Sequence, residues 1–151
     1  MGKIYHLGHG NSDDALSWSV PSFNKGAEVR KLKEISRGDT IKLESDYPEI
    51  NGKKLPWYCS PEPENNMSDA MVANYAVNRI KALKDSSFFL AVGFSKPHLP
   101  FVAPKKYWDL YDPLTIDIPK REIPENMPDL ALTQFGELRK YYGIPEKGLL
   151  D

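Results

Sequence analysis

Residues 68–94 read SDAMVANYAVNRIKALKDSSFFLAVGF, and this stretch decides the fold class of the 151-residue chain. In its first half, apolar side chains recur every three or four residues, which is the spacing of one helix face. Ser68 suits an N-cap, Asp69 suits the first turn, and Lys84 suits the carboxyl end. The pattern predicts a helix over 68–84.

The second half of the stretch, FFLAVGF (88–94), is a continuous apolar run. Such a run is typical of a strand covered on both faces, as in a parallel sheet flanked by helices. A helix followed by a buried strand is half of an α/β repeat. The sequence therefore predicts an α/β fold with a buried strand at 88–94.

The rest of the chain gives weaker local signals, and its length favours one domain. Asn51-Gly52 lies between 39–45 and 53–59 and is a hairpin signal, so 7–66 is interpreted as an irregular loop with a hairpin. Pro56 restricts the second arm to an edge strand. The other predicted elements are the end of a strand at 1–6, a helix at 104–111, a proline-rich extended tail at 112–132 and a last helix at 133–143.

Composition narrows the classes of function. Lysine and arginine total 20 against 21 acidic residues, so no global field favours nucleic acid or an anionic membrane. The single cysteine excludes an internal disulfide. No apolar run approaches the roughly 20 residues of a membrane span, and no export signal is visible. As written, the chain is expected to be cytoplasmic, without a membrane or nucleic-acid partner.

Residues 95–101, SKPHLPF, follow the apolar run with two prolines. A proline disfavours helical backbone in the residue before it, so this segment is expected to be extended and stiff. Residues two apart in extended chain share a face, which would place Lys96 beside His98 and bury Leu99 opposite. Open α/β sheets bind ligands at the carboxyl ends of strands. The alternative is a solvated lysine with a histidine that caps a loop.

A second polar cluster lies in GKIYHLGHG at residues 2–10. Lys3 and His6 are three residues apart, so they converge only if the backbone curls, as the glycines here permit. All three histidines of the chain lie in these two segments. Lysine and histidine together suit an oxyanion such as a phosphate or sulfate ester, while chance clustering is the alternative.

Three segments, in this order, resemble the middle of the sulfatases of the iduronate-2-sulfatase type: GKIYHLGHG, DDALSWS and FFLAVGFSKPHLPFVAPKKYWDLYD. The resemblance implies a partial domain over 1–151 of the alkaline-phosphatase-like three-layer α/β/α fold, with a mostly parallel sheet. It implies hydrolysis of sulfate esters on sulfated carbohydrates, by a formylglycine nucleophile beside a calcium ion. Family members are usually exported or lysosomal.

The resemblance also implies roles for single residues. Lys3 would bind the sulfate, His6 would hydrogen-bond the nucleophile, and His98 would contact the sulfate as general acid. Lys96 would contact substrate or support the site. The family's calcium ligands and nucleophile lie outside the matching part, so neither a metal ligand nor the formylglycine is expected in this chain.

Two motifs imitate family features. CSPEP at 59–63 approaches the Cys-x-Pro-x-Arg site of formylglycine formation, but Pro63 stands where arginine is needed. Cys59 is therefore interpreted as an ordinary loop or edge-strand thiol. Asp13-Asp14 resembles the paired calcium-binding aspartates, but its place after Lys3 favours a loop or capping role.

The favoured interpretation is an internal segment of a sulfatase that is inactive alone. The alternatives are a non-catalytic module that binds an oxyanion or a partner, and an inert product of a truncated gene. Open edges of a parallel sheet would favour self-association or pairing with further sulfatase segments.

Overall fold

The computed structural model describes residues 1–5, 14–23, 47–120, 122–131 and 136–148. The chain divides into two compact units. The first comprises Met1–Tyr47 and Glu62–His98, and the second comprises Pro48–Pro61 and Leu99–Asp151.

Helix α1 of the first unit runs from Ser68 to Leu83, where the apolar periodicity predicts a helix. It buries Met71, Val72 and Ala76. The prediction of Ser68 as N-cap is wrong. Met67 occupies that position with extended backbone (φ −81°, ψ 141°) and is itself buried, so Ser68 is the first helical residue.

The amino terminus pairs with the segment that follows α1. Gly2 and Gly93 form an isolated parallel bridge. The Lys3 N–H donates to the Gly93 carbonyl at 2.8 Å, and the Gly93 N–H donates to the Met1 carbonyl at 3.0 Å. The Met1 ammonium donates to the Ala91 carbonyl at 2.7 Å. These two segments are therefore parallel neighbours, as an α/β fold requires.

The prediction of a buried strand at 88–94 is wrong. Apart from the bridge at Gly93, the segment has no strand assignment, and Phe88, Phe89 and Phe94 are 46%, 82% and 51% exposed. A parallel strand is buried when it has neighbours on both edges and helices on both faces. Among the described residues this segment has one paired neighbour, Met1–Lys3, so most of its apolar side chains stay in solvent.

Glycine is required on both sides of the bridge. A Cβ at Gly93 would overlap the Lys3 carbonyl oxygen and lie 2.6 Å from the Lys3 carbonyl carbon. A Cβ at Gly2 would overlap the Gly93 carbonyl oxygen and lie 3.0 Å from a methyl of Val72 in α1. Gly2 also has a φ of +71°. The bridge thus depends on backbone approaching backbone.

We expect Gly93→Ala to lower the free energy of unfolding by about 1–3 kcal/mol, because the added methyl must push the Lys3 backbone away. Urea unfolding followed by circular dichroism measures this change. Gly136→Ala is the matched control, since a Cβ there meets no atom within 4 Å. Equal stability of the two variants would contradict the close approach.

The second unit contains a hairpin formed by β1 (Glu49–Ile50) and β2 (Lys53–Lys54), which pair antiparallel. Asn51 and Gly52 both have positive φ, 52° and 72°, as a two-residue hairpin turn of this kind demands. The turn predicted at Asn51-Gly52 is confirmed. The predicted first arm at 39–45 lies outside the described residues.

Strands β3 (Trp57–Ser60) and β4 (Phe101–Pro104) form a parallel pair in the same unit. The register aligns Tyr58 with Val102 and Cys59 with Ala103. Val102 is 4% exposed and Ser60 is 2% exposed, so one side of this pair is buried. The described structure is therefore mixed α/β and includes a parallel pair.

The carboxyl-terminal elements are shorter than predicted. Helix α2 covers only Lys105–Trp108, with Pro104 as its N-cap. Leu110 and Tyr111 are 72% and 69% exposed, so a longer helix would gain no burial there. The remaining described turns are 3₁₀ helices at Ala15–Ser17, Glu64–Asn66, Pro113–Thr115, Asp129–Ala131 and Leu138–Lys140.

The last predicted helix, at 133–143, does not form as predicted. Residues 132–135 lie outside the described part, and beyond them a single 3₁₀ turn covers Leu138–Lys140. Gly143 follows with a φ of +77°, which ends helical geometry. Within the described ranges, no helix has the length and apolar character needed to cross a membrane.

Candidate functional site

The segment that carries Lys96 and His98 is a turn. The His98 N–H donates to the Ser95 carbonyl at 2.9 Å and closes four residues, and the Lys96–Pro97 and Leu99–Pro100 peptide bonds are cis. The prediction of a stiff extended segment is therefore wrong, because the hydrogen bond reverses the chain. The alternation that would place Lys96 and His98 on one face does not apply, and Leu99 is only half-buried.

The turn Ser95–His98 is fastened to the amino end of α1. One Asp69 carboxylate oxygen accepts the Ser95 N–H and the other accepts the Lys96 N–H, both at 2.9 Å. Hydrogen bonds to a carboxylate are stronger than those between neutral groups. From the sequence, Asp69 is a favourable first-turn residue and nothing more, because the same residue type serves both purposes.

Lys3 lies next to the base of this turn. Its N–H bonds to Gly93, which is two residues before Ser95. The Ile4 N–H donates back to the Gly2 carbonyl at 3.1 Å, so the chain curls at the point where the sequence requires curling. Lys3 and the turn Ser95–His98 therefore lie at the same end of two parallel segments. His6, like His9, lies outside the described residues.

The exposure of the three described side chains allows them to meet a ligand. His98 is exposed, and Lys3 and Lys96 are half-buried. Two ammonium groups and an imidazole on adjoining main-chain positions can bind an oxyanion, since lysine supplies fixed charge and histidine can donate to an ester oxygen.

The described residues do not fit a calcium ion. Within the ranges that the structure covers, no three His, Cys, Asp or Glu side chains gather into a group that could hold a metal. Asp14 instead accepts a hydrogen bond from the Ser17 hydroxyl at 2.6 Å, at the start of the Ala15–Ser17 turn. This contact agrees with a capping role for Asp14, whereas Asp13 lies outside the described residues.

Cys59 is exposed on strand β3 of the second unit. Lys105 of α2 is near enough to interact electrostatically with it. The hydrogen bond from Lys105 to the Asp109 carboxylate, together with that negative charge, raises the pKa of Lys105. Cys59 therefore belongs to the strand–helix region of the second unit, whereas Lys3, Lys96 and His98 belong to the first.

Comparison with known proteins gives the family. No family model matches the chain. Iduronate 2-sulfatase of Homo sapiens is 29% identical over 146 residues, which are 93% of this chain and 26% of that protein. Iduronate 2-sulfatase of Mus musculus is 30% identical over the same length, 93% of this chain and 25% of that protein.

The chain is a relative of the sulfatases. A sulfatase of Formosa agariphila is 36% identical over 63 residues, 42% of this chain and 12% of that protein. The resemblance drawn from the sequence is therefore confirmed. The chain spans about a quarter of the length of the iduronate 2-sulfatases that it matches. Sulfatase relatives imply an alkaline-phosphatase-like α/β fold, with which the mixed α/β content and the parallel pair agree.

We expect Asp109→Asn to lower the pKa of Lys105 towards its ordinary value, because the variant removes the negative charge. A raised folded-state pKa stabilises the fold below the unfolded value of about 10.4 and loses that effect as pH rises through the folded value. The difference in stability between wild type and variant should therefore be present at neutral pH and fade in alkaline solution.

Lysine side-chain NMR over an alkaline pH series measures the Lys105 midpoint. Asp117→Asn is the matched control, because Asp117 is an exposed carboxylate elsewhere in the second unit. An unchanged Lys105 midpoint in Asp109→Asn would show that the ion pair does not form in solution.

Proposed function

We propose that this chain supplies part of the sulfate-binding site of a sulfatase. In this proposal Lys3 and His98 contact the sulfate group and Lys96 contacts the substrate. The observation that supports it is the bridge between Gly2 and Gly93, which brings Lys3 to the base of the turn Ser95–His98. The carboxyl ends of parallel segments are the usual ligand-binding edge in α/β folds.

Each residue has a definite chemical task in this proposal. The Lys3 ammonium neutralises charge on a sulfate oxygen throughout the reaction. His98 donates a proton to the ester oxygen as the bond from sulfur to that oxygen breaks, so the alcohol leaves uncharged. His6, from the family resemblance, hydrogen-bonds the nucleophile.

The substrate class is a sulfate ester on a sugar. Two of the related proteins are named iduronate 2-sulfatase, which favours a 2-sulfated uronic acid. The three-layer α/β/α architecture and pairing with further sulfatase segments belong to the same proposal. We derive no step through calcium or formylglycine, because the described residues form no metal group and Pro63 replaces the required arginine after Cys59.

Sulfate titration monitored by histidine NMR tests the anion site. We expect the ring signals of His98 to shift in millimolar sulfate, and Lys3→Ala to weaken the response roughly tenfold, as for loss of a charged hydrogen bond. Lys81→Ala is the control, because Lys81 lies near the opposite end of α1. No shift of His98 up to high millimolar sulfate would defeat the proposal.

Hydrolysis is tested separately from binding. We expect negligible turnover of a sulfated aryl ester or a 2-sulfated uronic acid by this chain alone, because removing a nucleophile leaves little rate enhancement. Turnover that survives Cys59→Ala and disappears in His98→Ala would reveal another nucleophile. Sulfate binding without turnover would leave the chain as an oxyanion-binding module, and neither activity would make it inert.

A further inference from the structure

We infer that Asp69 is the positioning residue of the candidate site, an inference that rests on the proposed function of Lys96 and His98. Its carboxylate holds the turn Ser95–His98 at the amino end of α1. The family resemblance, the sequence pattern and the related proteins assign no role to this residue.

The geometry of the contact favours positioning. Both carboxylate oxygens accept, each from a different residue of one peptide pair, Ser95 and Lys96, at 2.9 Å. Two bonds to consecutive N–H groups fix both the location and the direction of that peptide, whereas a single bond would leave it able to pivot. The next contact, from the His98 N–H to Ser95, then fixes His98 relative to the same peptide.

The location of Asp69 strengthens the hold. It lies in the first turn of a 16-residue helix, where the helix dipole stabilises a negative charge. Neighbouring residues Ser68, Met71 and Val72 are buried, so the turn is fastened to a well-packed part of the first unit. Two sets of contacts therefore constrain this end of the site: Asp69 constrains Lys96 and His98, and Gly93 constrains Lys3.

Asp69 does not contact the sulfate in this proposal. It acts through the turn, so its removal should change the orientation of Lys96 and His98 without removing either group. An effect on sulfate affinity that scales with the number of lost hydrogen bonds is the expected signature. Asp69→Asn keeps the size of the side chain and one acceptor oxygen, whereas Asp69→Ala loses both acceptors.

The test combines amide hydrogen exchange with sulfate titration of the full chain. In Asp69→Ala, we expect the Ser95 and Lys96 amides to exchange at least about tenfold faster, and the sulfate midpoint of His98 to rise roughly tenfold. Asp69→Asn should fall between Asp69→Ala and wild type. Asp85→Ala, which removes an exposed carboxylate beyond the other end of α1, should match wild type. Far-UV circular dichroism checks that α1 persists.

The two measurements separate the two ideas. Unchanged exchange at Ser95 and Lys96 in Asp69→Ala would overturn the positioning role whatever sulfate does. Faster exchange with an unchanged His98 sulfate midpoint would also overturn it, since Asp69 would then serve the fold alone. A wild-type chain whose His98 ignores sulfate defeats the proposed function, and the exchange rates still decide whether Asp69 holds the turn.

Discussion

The parallel contact between Met1–Lys3 and Ala91–Gly93 is the constraint on which the candidate site depends. It joins residues about ninety positions apart through main-chain hydrogen bonds, including that from the Met1 ammonium to Ala91. The entropic cost of closing a loop grows slowly with its length, so such a long connection is tolerated. Without this contact, Lys3 would have no fixed relation to His98.

Local signals in the sequence predicted local structure well. Helix α1 follows from apolar periodicity within one segment, and the hairpin turn follows from the positive φ that Asn51-Gly52 supplies. The parallel pair of Trp57–Ser60 with Phe101–Pro104 could not be predicted this way. It joins distant segments whose sequences carry prolines, and neither contains a pattern that selects the other.

Burial at 88–94 failed as a prediction for the same reason. An apolar run indicates that a segment can be buried, but burial needs neighbours that the run does not specify. The turn Ser95–His98 failed differently. Proline removes the helix from the choices of the preceding residue, yet it leaves both extended chain and turns open, and the contacts to Asp69 and within the turn select the latter.

The correction to a turn leaves the chemical reasoning intact and changes its basis. Lys96 and His98 were expected to act together because extended chain places them on one face, whereas the structure holds both on one hydrogen-bonded turn. The resemblance to sulfatases identified the residues correctly as a group, but it could not show which contact holds them. That contact comes from Asp69, a residue whose type and position are equally natural in any helix start.

Exposure determines how strongly such a site can bind. Two unit charges about 4 Å apart gain only about 1 kcal/mol in water, and several times more where water is excluded. Phe94 directly precedes the turn and is 51% exposed, and Phe88 and Phe89 are also in solvent. A cover over these phenylalanines would lower the local dielectric around Lys96 and His98. The described part of the chain therefore fixes the positions of the charged groups, while their strength depends on what shields the apolar segment beside them.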